Sequence, residues 1–517
     1  MDMFAQMLQQ TTLKHDNVAY SENGAKMYGT TGHALLDLNF SVSRMRDMDE
    51  YEIFQKFLAA FREDPTLATK WLFFARDVRD GLGERRLFNV IFSYMADRDP
   101  TAYSRLVRYI PEYGRWDDLL NLMRTDLERD AFSTIAHQFN KDLDGMKAGK
   151  SISLMAKWLP SIATSSVDSR RQALKLSKYL GLSVPAYRKL VSKLRKYIDV
   201  IEVKMTDQQW DQIDYSKVPS RANMLYANAF LRHDRERREA FLEAALKGEV
   251  KMNSGTLYPH EIAHPFISGY YTPIEIAGVE AMWKNLPAVA LGSRTIVVSD
   301  GSGSMRKHVS EKSEISCLDI AISLAIYFSQ YLEGPYKNRF ITFSENPRFV
   351  DLNGYDTLLE KVNKAKQYTE VANTNIEKVF AMILETAVVN KLSQKELPDN
   401  ILIISDMEFD RCAVDNSYDR YAYEPNIQRN LFENIAGMYA AQGYKIPRVC
   451  FWNTYGRSGT VPMTTNDLGV ALMSGFSINN AKMIMSGKLD PYEALLDVLN
   501  SERYANIFPT IQYLDEH

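Results

Sequence analysis

The sequence has few cysteines and no long apolar run. Three cysteines, Cys317, Cys412 and Cys450, are too few and too scattered for a disulfide framework or a thiolate metal site. No apolar run reaches the roughly 18 residues that a membrane-spanning helix needs. The first ten residues, MDMFAQMLQQ, lack the basic and apolar segments of a signal peptide. We therefore expect a cytoplasmic protein with no membrane partner.

The chain also lacks any bias towards a fibrous or disordered composition. Hydrophobic residues make up 45% and charged residues 25%, with 25 Gly and 18 Pro among 517 residues. These values are typical of a globular protein. At roughly 100–200 residues per domain, the length predicts about three domain equivalents.

A large net charge is missing too, but the total of −3 hides an asymmetry. Residues 291–517 contain 22 Lys and Arg against 28 Asp and Glu, which leaves 40 against 37 in residues 1–290. Within residues 150–198, which we call the basic window, eleven basic side chains accompany one acid, Asp168. Such a local positive field is typical of surfaces that bind phosphate groups.

Residues 48 to 290 have the periodicity of helices. Apolar residues recur every three or four positions, as in YEIFQKFLAAF and RRLFNVIFSYM, and breakers such as Pro111, Pro160 and Gly181 separate the segments. Ser183-Val184-Pro185 predicts a capped helix start with proline in the first turn. We expect a curved array of antiparallel helix pairs over residues 1–288.

After residue 290 the pattern changes to alternating strands and helices. Five apolar runs predict buried strands that are separated by helical segments; the runs cover residues 295–299, 339–343, 400–404, 448–452 and 469–473. This alternation predicts a doubly wound α/β domain over residues 289–517, with its ligand site at the carboxyl ends of the strands.

Oxygen-bearing side chains follow two of these predicted strands. Asp300-Gly-Ser302-Gly-Ser304 follows the first, Asp406 follows the third, and Thr374 precedes a helix between them. Carboxylate and hydroxyl oxygens at one sheet edge favour a hard divalent cation. The alternative is a solvated turn in which Asp300 or Ser304 only caps a helix.

This pattern resembles the von Willebrand factor A domain and its metal-ion-dependent adhesion site. The resemblance implies Mg²⁺ or another divalent cation, with Ser302, Ser304 and Thr374 as direct ligands and Asp300 and Asp406 acting mainly through water. The sequence departs from the family in lacking a Gly-Gly pair before Thr374 and in placing Glu408, a competing carboxylate, close to Asp406. In that family the open metal position takes an acidic residue, which implies a protein partner with an acidic loop.

Two stretches of the helical half carry a second resemblance. Residues 75–88 contain Gly81-Leu-Gly83-Glu84-Arg85-Arg86 between two helices, and residues 111–119 read Pro-Glu-Tyr-Gly-Arg-Trp-Asp-Asp-Leu. Together with a C-terminal von Willebrand A domain, they resemble an uncharacterised branch of the TROVE-domain family typified by the Ro autoantigen. The resemblance implies a ring of HEAT-like repeats that binds small structured or misfolded RNA as a ribonucleoprotein.

The candidate RNA-binding residues are basic side chains of the Gly-rich turn and of the basic window. They are Arg85, Arg86, Lys150, Lys157, Arg170, Arg171, Lys175, Lys178, Arg188, Lys189, Lys193, Arg195 and Lys196. We expect Asp117 and Asp118 to pair with nearby arginines rather than to act in catalysis.

One enzyme motif is present, His260-Glu261-Ile-Ala-His264, which matches the zinc-protease pattern H-E-x-x-H. That chemistry requires both histidines on one face of a continuing helix. Pro265 disfavours helical geometry for His264, so we expect histidines that do not share a face. No other catalytic set is visible, which predicts a protein without enzymatic activity.

The sequence thus predicts an RNA-binding protein with a basic helical surface and a Mg²⁺-dependent recognition domain. The alternative is a protein-interaction scaffold whose metal site recruits an acidic partner without RNA. The sequence leaves open which RNA is bound, whether the ring closes and the oligomeric state.

Overall fold

The computed structural model describes residues 17–289, 291, 294–311, 313–369, 374–410 and 430–510. The chain divides into two compact units. The sheet unit comprises Met1–Asp49 and Leu257–Ser501, and the helical unit comprises Glu50–Thr256 and Glu502–His517. The predicted combination of a helical part with an α/β part is confirmed.

The sheet unit begins with a small antiparallel hairpin. Strands β1 (Ala19–Tyr20) and β2 (Lys26–Met27) pair with each other, and helix α1 (Ala34–Phe40) follows. The apolar side chains of α1, such as Leu35 and Leu38, are buried. We call residues 19–27 the N-terminal hairpin.

The helical unit contains thirteen α-helices within residues 50–256, all of them described. They are α2 (Glu50–Glu63), α3 (Pro65–Arg76), α4 (Arg85–Arg98), α5 (Pro100–Tyr103), α6 (Ile110–Tyr113), α7 (Glu128–Lys147), α8 (Met155–Trp158), α9 (Val167–Tyr179), α10 (Val184–Tyr197), α11 (Ile201–Thr206), α12 (Ser220–Leu225), α13 (Ala227–His233) and α14 (Arg235–Lys247). Ser183 caps α10 by accepting a hydrogen bond from the backbone N–H of Ala186, as predicted. An aromatic core that includes Phe73, Phe88 and Phe92 joins α3 to α4.

The remaining helices belong to the sheet unit. They are α15 (Pro259–Ser268), α16 (Pro273–Lys284), α17 (Cys317–Gln330), α18 (Leu358–Lys366), α19 (Glu377–Val389), α20 (Leu431–Ala441), α21 (Ala481–Met485) and α22 (Pro491–Leu499). Helix α17 is buried along most of its length, as expected for a helix that covers a sheet made of apolar strands.

Six strands form the main sheet of the described chain. They are β3 (Thr295–Asp300), β4 (Arg339–Phe343), β5 (Arg348–Asp351), β6 (Asn400–Ser405), β7 (Arg448–Asn453) and β8 (Val470–Ser474). Their order is β5-β4-β3-β6-β7-β8, and only β5 runs antiparallel to its neighbour. The five predicted strands are confirmed to within one residue at either end. Strand β5 was not predicted, because it is a short edge strand with two exposed residues at its start.

The boundary of the two units differs from the expected boundary between residues 288 and 289. Residues 17–49 and 257–288 fold with the sheet because their apolar side chains pack there, whereas Arg503 and Tyr504 return to the helical unit. In the helical unit the guanidinium Nε of Arg503 donates to Asp77 Oδ2 at 2.7 Å, and the Tyr504 hydroxyl donates to the same carboxylate oxygen at 3.1 Å. Sequence periodicity identifies helices but does not show which core each helix joins.

The cysteines and the helix lengths give two further observations. Cys317 and Cys450 are free and buried, and Cys412 lies outside the described residues. Throughout the described part of the chain, every helix is too short or too polar to cross a bilayer.

Candidate metal centre and nucleic-acid interface

The carboxyl ends of β3 and β6 bring two of the predicted metal ligands to one edge of the sheet. Asp300 is the last residue of β3, and Asp406 directly follows β6. The two strands are parallel neighbours in which Ser299 lies beside Ile404. Parallel pairing therefore places the two carboxylates next to each other, as the sequence analysis expected.

Two serine hydroxyls complete a hydrogen-bonded group with these carboxylates. The Ser302 N–H donates to Asp300 Oδ1 at 2.9 Å, and the hydroxyl oxygens of Ser302 and Ser304 lie 3.1 Å apart. The Ser304 side chain also interacts with Asp406 and partly counteracts the rise in the pKa of that carboxylate. Four of the five predicted ligands thus form one group, which we call the oxygen cluster: Asp300, Ser302, Ser304 and Asp406.

Asp300 already has a protein partner on each carboxylate oxygen. Ser405 donates its hydroxyl to Asp300 Oδ2 at 2.6 Å, in addition to the Ser302 N–H on Oδ1. These bonds fix the orientation of the carboxylate. A carboxylate held in this way suits an aspartate that interacts with a cation through water. The serine hydroxyls remain the candidates for direct contact with the cation.

Close packing favours glycine between Asp300 and Ser302. A Cβ atom on Gly301 would lie 3.1 Å from Thr342 Oγ1 and 3.5 Å from the carbonyl oxygen of Phe343. The Gly301 N–H donates to that same carbonyl at 2.8 Å. A side chain here would press on Thr342 and require a shift of a few tenths of an ångström at the end of β4.

Burial and mutual repulsion perturb both carboxylates. Removal from water raises the pKa of Asp300, and the negative charge of Asp406 raises it further. Burial likewise raises the pKa of Asp406, although the nearby Arg457 guanidinium partly offsets this effect. Two buried carboxylates that repel each other are stabilised by a shared cation.

Thr374, the fifth predicted ligand, is buried, and Asn23 connects it to the loop after β6. The side-chain amide of Asn23 lies 3.5 Å from Thr374 Oγ1 and donates to the carbonyl oxygen of Glu408 at 2.7 Å. The Thr374 carbonyl accepts the Asp410 N–H at 3.1 Å. The two residues that stand in place of a Gly-Gly pair before Thr374, Ala372 and Asn373, lie outside the described residues.

Glu408, which was expected only as a competing carboxylate, connects three segments of the sheet unit. It is fully buried. Its Oε2 accepts the Glu22 N–H at 2.7 Å, and its Oε1 accepts the Ser458 N–H at 2.8 Å and the Ser458 hydroxyl at 3.0 Å. One carboxylate therefore ties the N-terminal hairpin and the loop after β7 to the end of β6.

The loop after β6 is strained, and an arginine lies beside it. Met407 adopts a φ of 64°, a left-handed conformation that is uncommon for residues other than glycine. Arg457 Nη2 lies 3.4 Å from Asp406 Oδ2, and Arg457 Nη1 lies 2.9 Å from Glu22 Oε2. No periodicity or motif in the sequence predicts the approach of Glu22, Asn23 or Arg457.

The chemistry of the oxygen cluster fits a hard cation. Its donors are carboxylate and hydroxyl oxygens, which suit Mg²⁺, Mn²⁺ or Ca²⁺. Across the described residues, no group of three His, Cys, Asp or Glu side chains is arranged to hold a metal ion. A cation at this edge would therefore depend on the serine and threonine hydroxyls.

Most of the basic residues of the window 150–198 lie on α9 and α10, which form a second candidate site. We call these two helices, together with the flanking Lys150, the basic hairpin. Nine of the eleven cations of residues 150–198 are exposed, and all nine belong to the basic hairpin; they are Lys150, Arg170, Arg171, Lys175, Lys178, Arg188, Lys189, Lys193 and Lys196. Two members have structural roles. Arg195 donates to the carbonyl oxygens of Ala156 and Leu159, and Lys157 pairs with Glu202 at 3.0 Å.

Two grooves adjoin the basic hairpin. One, of about 600 Å³, is lined by Met146, Lys147, Lys193, Lys196, Tyr197 and Asp199. A smaller one, of about 280 Å³, includes Arg124, Arg171 and Lys175. In the smaller groove Arg124 and Arg171 share Asp168, and Lys175 pairs with Glu128 at 2.5 Å. The larger groove places lysines beside a partly exposed aromatic ring.

The two arginines of the Gly-rich turn differ in their surroundings. Arg85 pairs with Asp117 at 2.7 Å and with Asp118 at 2.6 Å, while Arg86 is exposed. Arg76 also pairs with Asp118, at 2.6 Å. The expected pairing of Asp117 and Asp118 with arginines is confirmed.

The H-E-x-x-H segment differs from the expectation. Helix α15 continues through Pro265, so His260 and His264 do lie on successive turns of one helix. Burial of Ile262, Phe266 and other apolar side chains of α15 outweighs the cost of the proline. The two rings have separate neighbours, because His260 packs edge-on against Phe476 and His264 contacts Asp319.

Comparison with known proteins relates both halves of the chain to domains of unknown function. A family model described as a domain of unknown function (DUF7788) matches residues 294–506. Another with the same description (DUF2828) matches residues 21–137 and 163–286. An uncharacterized protein of Acanthamoeba polyphaga mimivirus is 30% identical over 531 residues, which covers 93% of this chain and 87% of that protein.

These matches correct the assignment to the TROVE-domain family, because no TROVE domain is found. Both stretches that carried that resemblance, residues 75–88 and 111–119, fall within the region matched by DUF2828. In the structure they meet through the buried pair of Arg76 and Asp118. Packing of helices around a buried ion pair does not distinguish one helical family from another, which is why the resemblance was misleading.

Proposed function

This chain belongs to the same family as the mimivirus protein, and we propose that it is an RNA-binding protein with a divalent-cation site at the edge of its sheet. The observation that carries the RNA proposal is the basic hairpin. Its nine exposed cations accompany one acidic residue, Asp168. A surface of this kind gains affinity by neutralising phosphates and releasing their counterions.

The chemistry of the larger groove favours RNA that is at least partly single-stranded. Lys193 and Lys196 are exposed, and Tyr197 in the same groove is 38% exposed. Lysines neutralise phosphates, while a planar ring stacks on an unpaired base. Direct sequence recognition is not expected from these contacts, since lysines on phosphates do not distinguish bases.

Binding of a fluorescent 20-nucleotide oligouridine, followed by anisotropy at low salt, tests the proposal. We expect the variant with Lys178, Lys189, Lys193 and Lys196 changed to Ala to bind at least about tenfold more weakly. A control with Arg62, Arg98, Arg232 and Lys251 changed to Ala loses the same charge from exposed positions elsewhere in the helical unit. Equal affinity of both variants would exclude the basic hairpin as the RNA surface.

For the sheet unit we propose a von Willebrand A-like domain that binds Mg²⁺ or another divalent cation. Support comes from the strand order, the antiparallel edge strand and the hydroxyls and carboxylates at the ends of β3 and β6. For the helical unit we propose a HEAT-like repeat arrangement, supported by its succession of amphipathic helices. The two buried free cysteines are consistent with a cytoplasmic location.

The oxygen cluster favours a second candidate function, a scaffold without RNA. A cation held by Ser302 and Ser304 keeps an open position that takes an acidic group from a protein partner. Purification at low salt separates the two proposals. RNA that copurifies with the wild-type chain but not with the basic-hairpin variant supports RNA binding, whereas nucleic-acid-free protein with a copurifying protein partner supports the scaffold.

A further inference from the structure

Arg457 contacts the oxygen cluster from the loop after β7. Its Nη2 lies 3.4 Å from Asp406 Oδ2, and its Nη1 lies 2.9 Å from Glu22 Oε2. Its Nε is buried and has no hydrogen-bond partner in the part of the chain that the structure describes. The guanidinium therefore links the cluster to the N-terminal hairpin with only part of its hydrogen-bonding capacity used.

We propose that Arg457 sets the cation affinity of the sheet-edge site by acting as an internal cation that competes for Asp406. The inference rests on the cation site proposed above and adds a specificity-determining residue to it. Asp406 Oδ2 lies 3.4 Å from Arg457 Nη2, and the Ser304 side chain interacts with the same carboxylate. A divalent ion that contacts Asp406, directly or through water, must share the carboxylate with the guanidinium of Arg457.

The charge of Arg457 stabilises the metal-free site and destabilises the metal-bound site. Without a metal ion, the guanidinium offsets the negative charge of the buried Asp406. With a metal ion, the same positive charge repels it in partly desolvated surroundings, where screening is weak. Removal of the charge should therefore strengthen metal binding and weaken the metal-free fold.

Glu22 provides a change with the opposite expected effect. Its carboxylate is half-exposed and holds the other end of the guanidinium. Neutralising Glu22 frees Arg457 to pair more closely with Asp406 and also removes a negative charge near the site. Metal binding should then become weaker.

Titration of the full chain with Mn²⁺, with free Mn²⁺ measured by electron paramagnetic resonance, tests this proposal. We expect Arg457→Gln to bind Mn²⁺ at least about tenfold more tightly than the wild type and Glu22→Gln to bind it more weakly. Arg457→Lys, which keeps the charge, should stay within about threefold of the wild type. Arg348→Gln serves as the matched control, because it removes one exposed positive charge from β5.

The variants separate failure of this inference from failure of the cation site. If the wild type and Arg457→Gln bind Mn²⁺ equally, or if Glu22→Gln leaves binding unchanged, the competitive role of Arg457 is wrong and the site remains. If neither the wild type nor Arg457→Gln binds Mn²⁺, both are wrong. Adding Ser302→Ala to Arg457→Gln should abolish the gain, and a retained gain would place the ion elsewhere and overturn the inference.

Discussion

His264 Nδ1 lies 2.9 Å from Asp319 Oδ1, and this contact links α15 to the first turn of α17. The carboxylate is nearly buried and also accepts hydrogen bonds from the N–H and the hydroxyl of Ser316. The second histidine of the H-E-x-x-H segment is thus part of a helix-to-helix ion pair.

The stability of the sheet unit should depend on pH through this pair. The hydrogen bond to Asp319 raises the pKa of His264 above 6.5, despite partial burial. Burial alone would raise the pKa of Asp319, but hydrogen bonds from His264 and Ser316 outweigh it and lower the pKa below 3.8. The stabilisation from His264 is complete below its unfolded pKa and is lost as the pH rises through its folded pKa. The contribution from Asp319 is lost as the pH falls through its own folded pKa.

The measurement is urea unfolding of the wild type and of His264→Gln at pH 5.5 and pH 8.5. At pH 5.5 the substitution should cost about 1 to 2 kcal/mol, because it removes a charge-assisted hydrogen bond. At pH 8.5 the cost should be smaller. An equal cost at the two pH values would show that the ion pair does not contribute to stability.

Asp118 should be essential to the fold of the helical unit. It is buried and contacts the guanidinium groups of Arg76 and Arg85, both at 2.6 Å. Asp118→Asn leaves the buried Arg76 charge without its carboxylate, so we expect a loss of about 3 to 5 kcal/mol in the free energy of unfolding. Asp117→Asn is the matched control, because the Asp117 side chain is 19% exposed and should cost less. Similar melting temperatures for the two variants would contradict the structural role of Asp118.

A divalent cation should stabilise the chain through the oxygen cluster. At a concentration about 100 times the dissociation constant, binding to the folded state alone adds about 2.7 kcal/mol. We expect Mg²⁺ or Mn²⁺ to raise the melting temperature of the wild type but not of Ser302→Ala or of a variant with both Asp300 and Ser302 changed to Ala. An unchanged metal response in the double variant would refute the site.

The oxygen cluster was predictable because the position of each carboxylate depends on the sequence next to it. An acidic residue at the end of an apolar strand stays at the end of that strand, and parallel pairing brought Asp300 and Asp406 to one edge. The contacts of Glu22 and Asn23 with Glu408 were not predictable, since they join residues more than 380 positions apart without any periodic signal.

Competition between local preference and packing explains other differences. Pro265 disfavours a helix locally, but burial of the apolar face of α15 keeps the helix intact. Residues 257–288 have the same helical periodicity as residues 50–256, yet they fold with the sheet unit. A periodic pattern specifies that a helix buries one face, while the surface that covers this face is decided by the tertiary fold.

The salt dependence of RNA affinity tests the central claim most directly. For single-stranded RNA the logarithm of the binding constant falls with the logarithm of salt concentration by about 0.7 for each neutralised phosphate. We predict that changing Lys178, Lys189, Lys193 and Lys196 to Ala weakens oligouridine binding and makes this slope shallower by about 2 to 3. A variant that keeps the wild-type affinity and slope would contradict RNA binding by the basic hairpin.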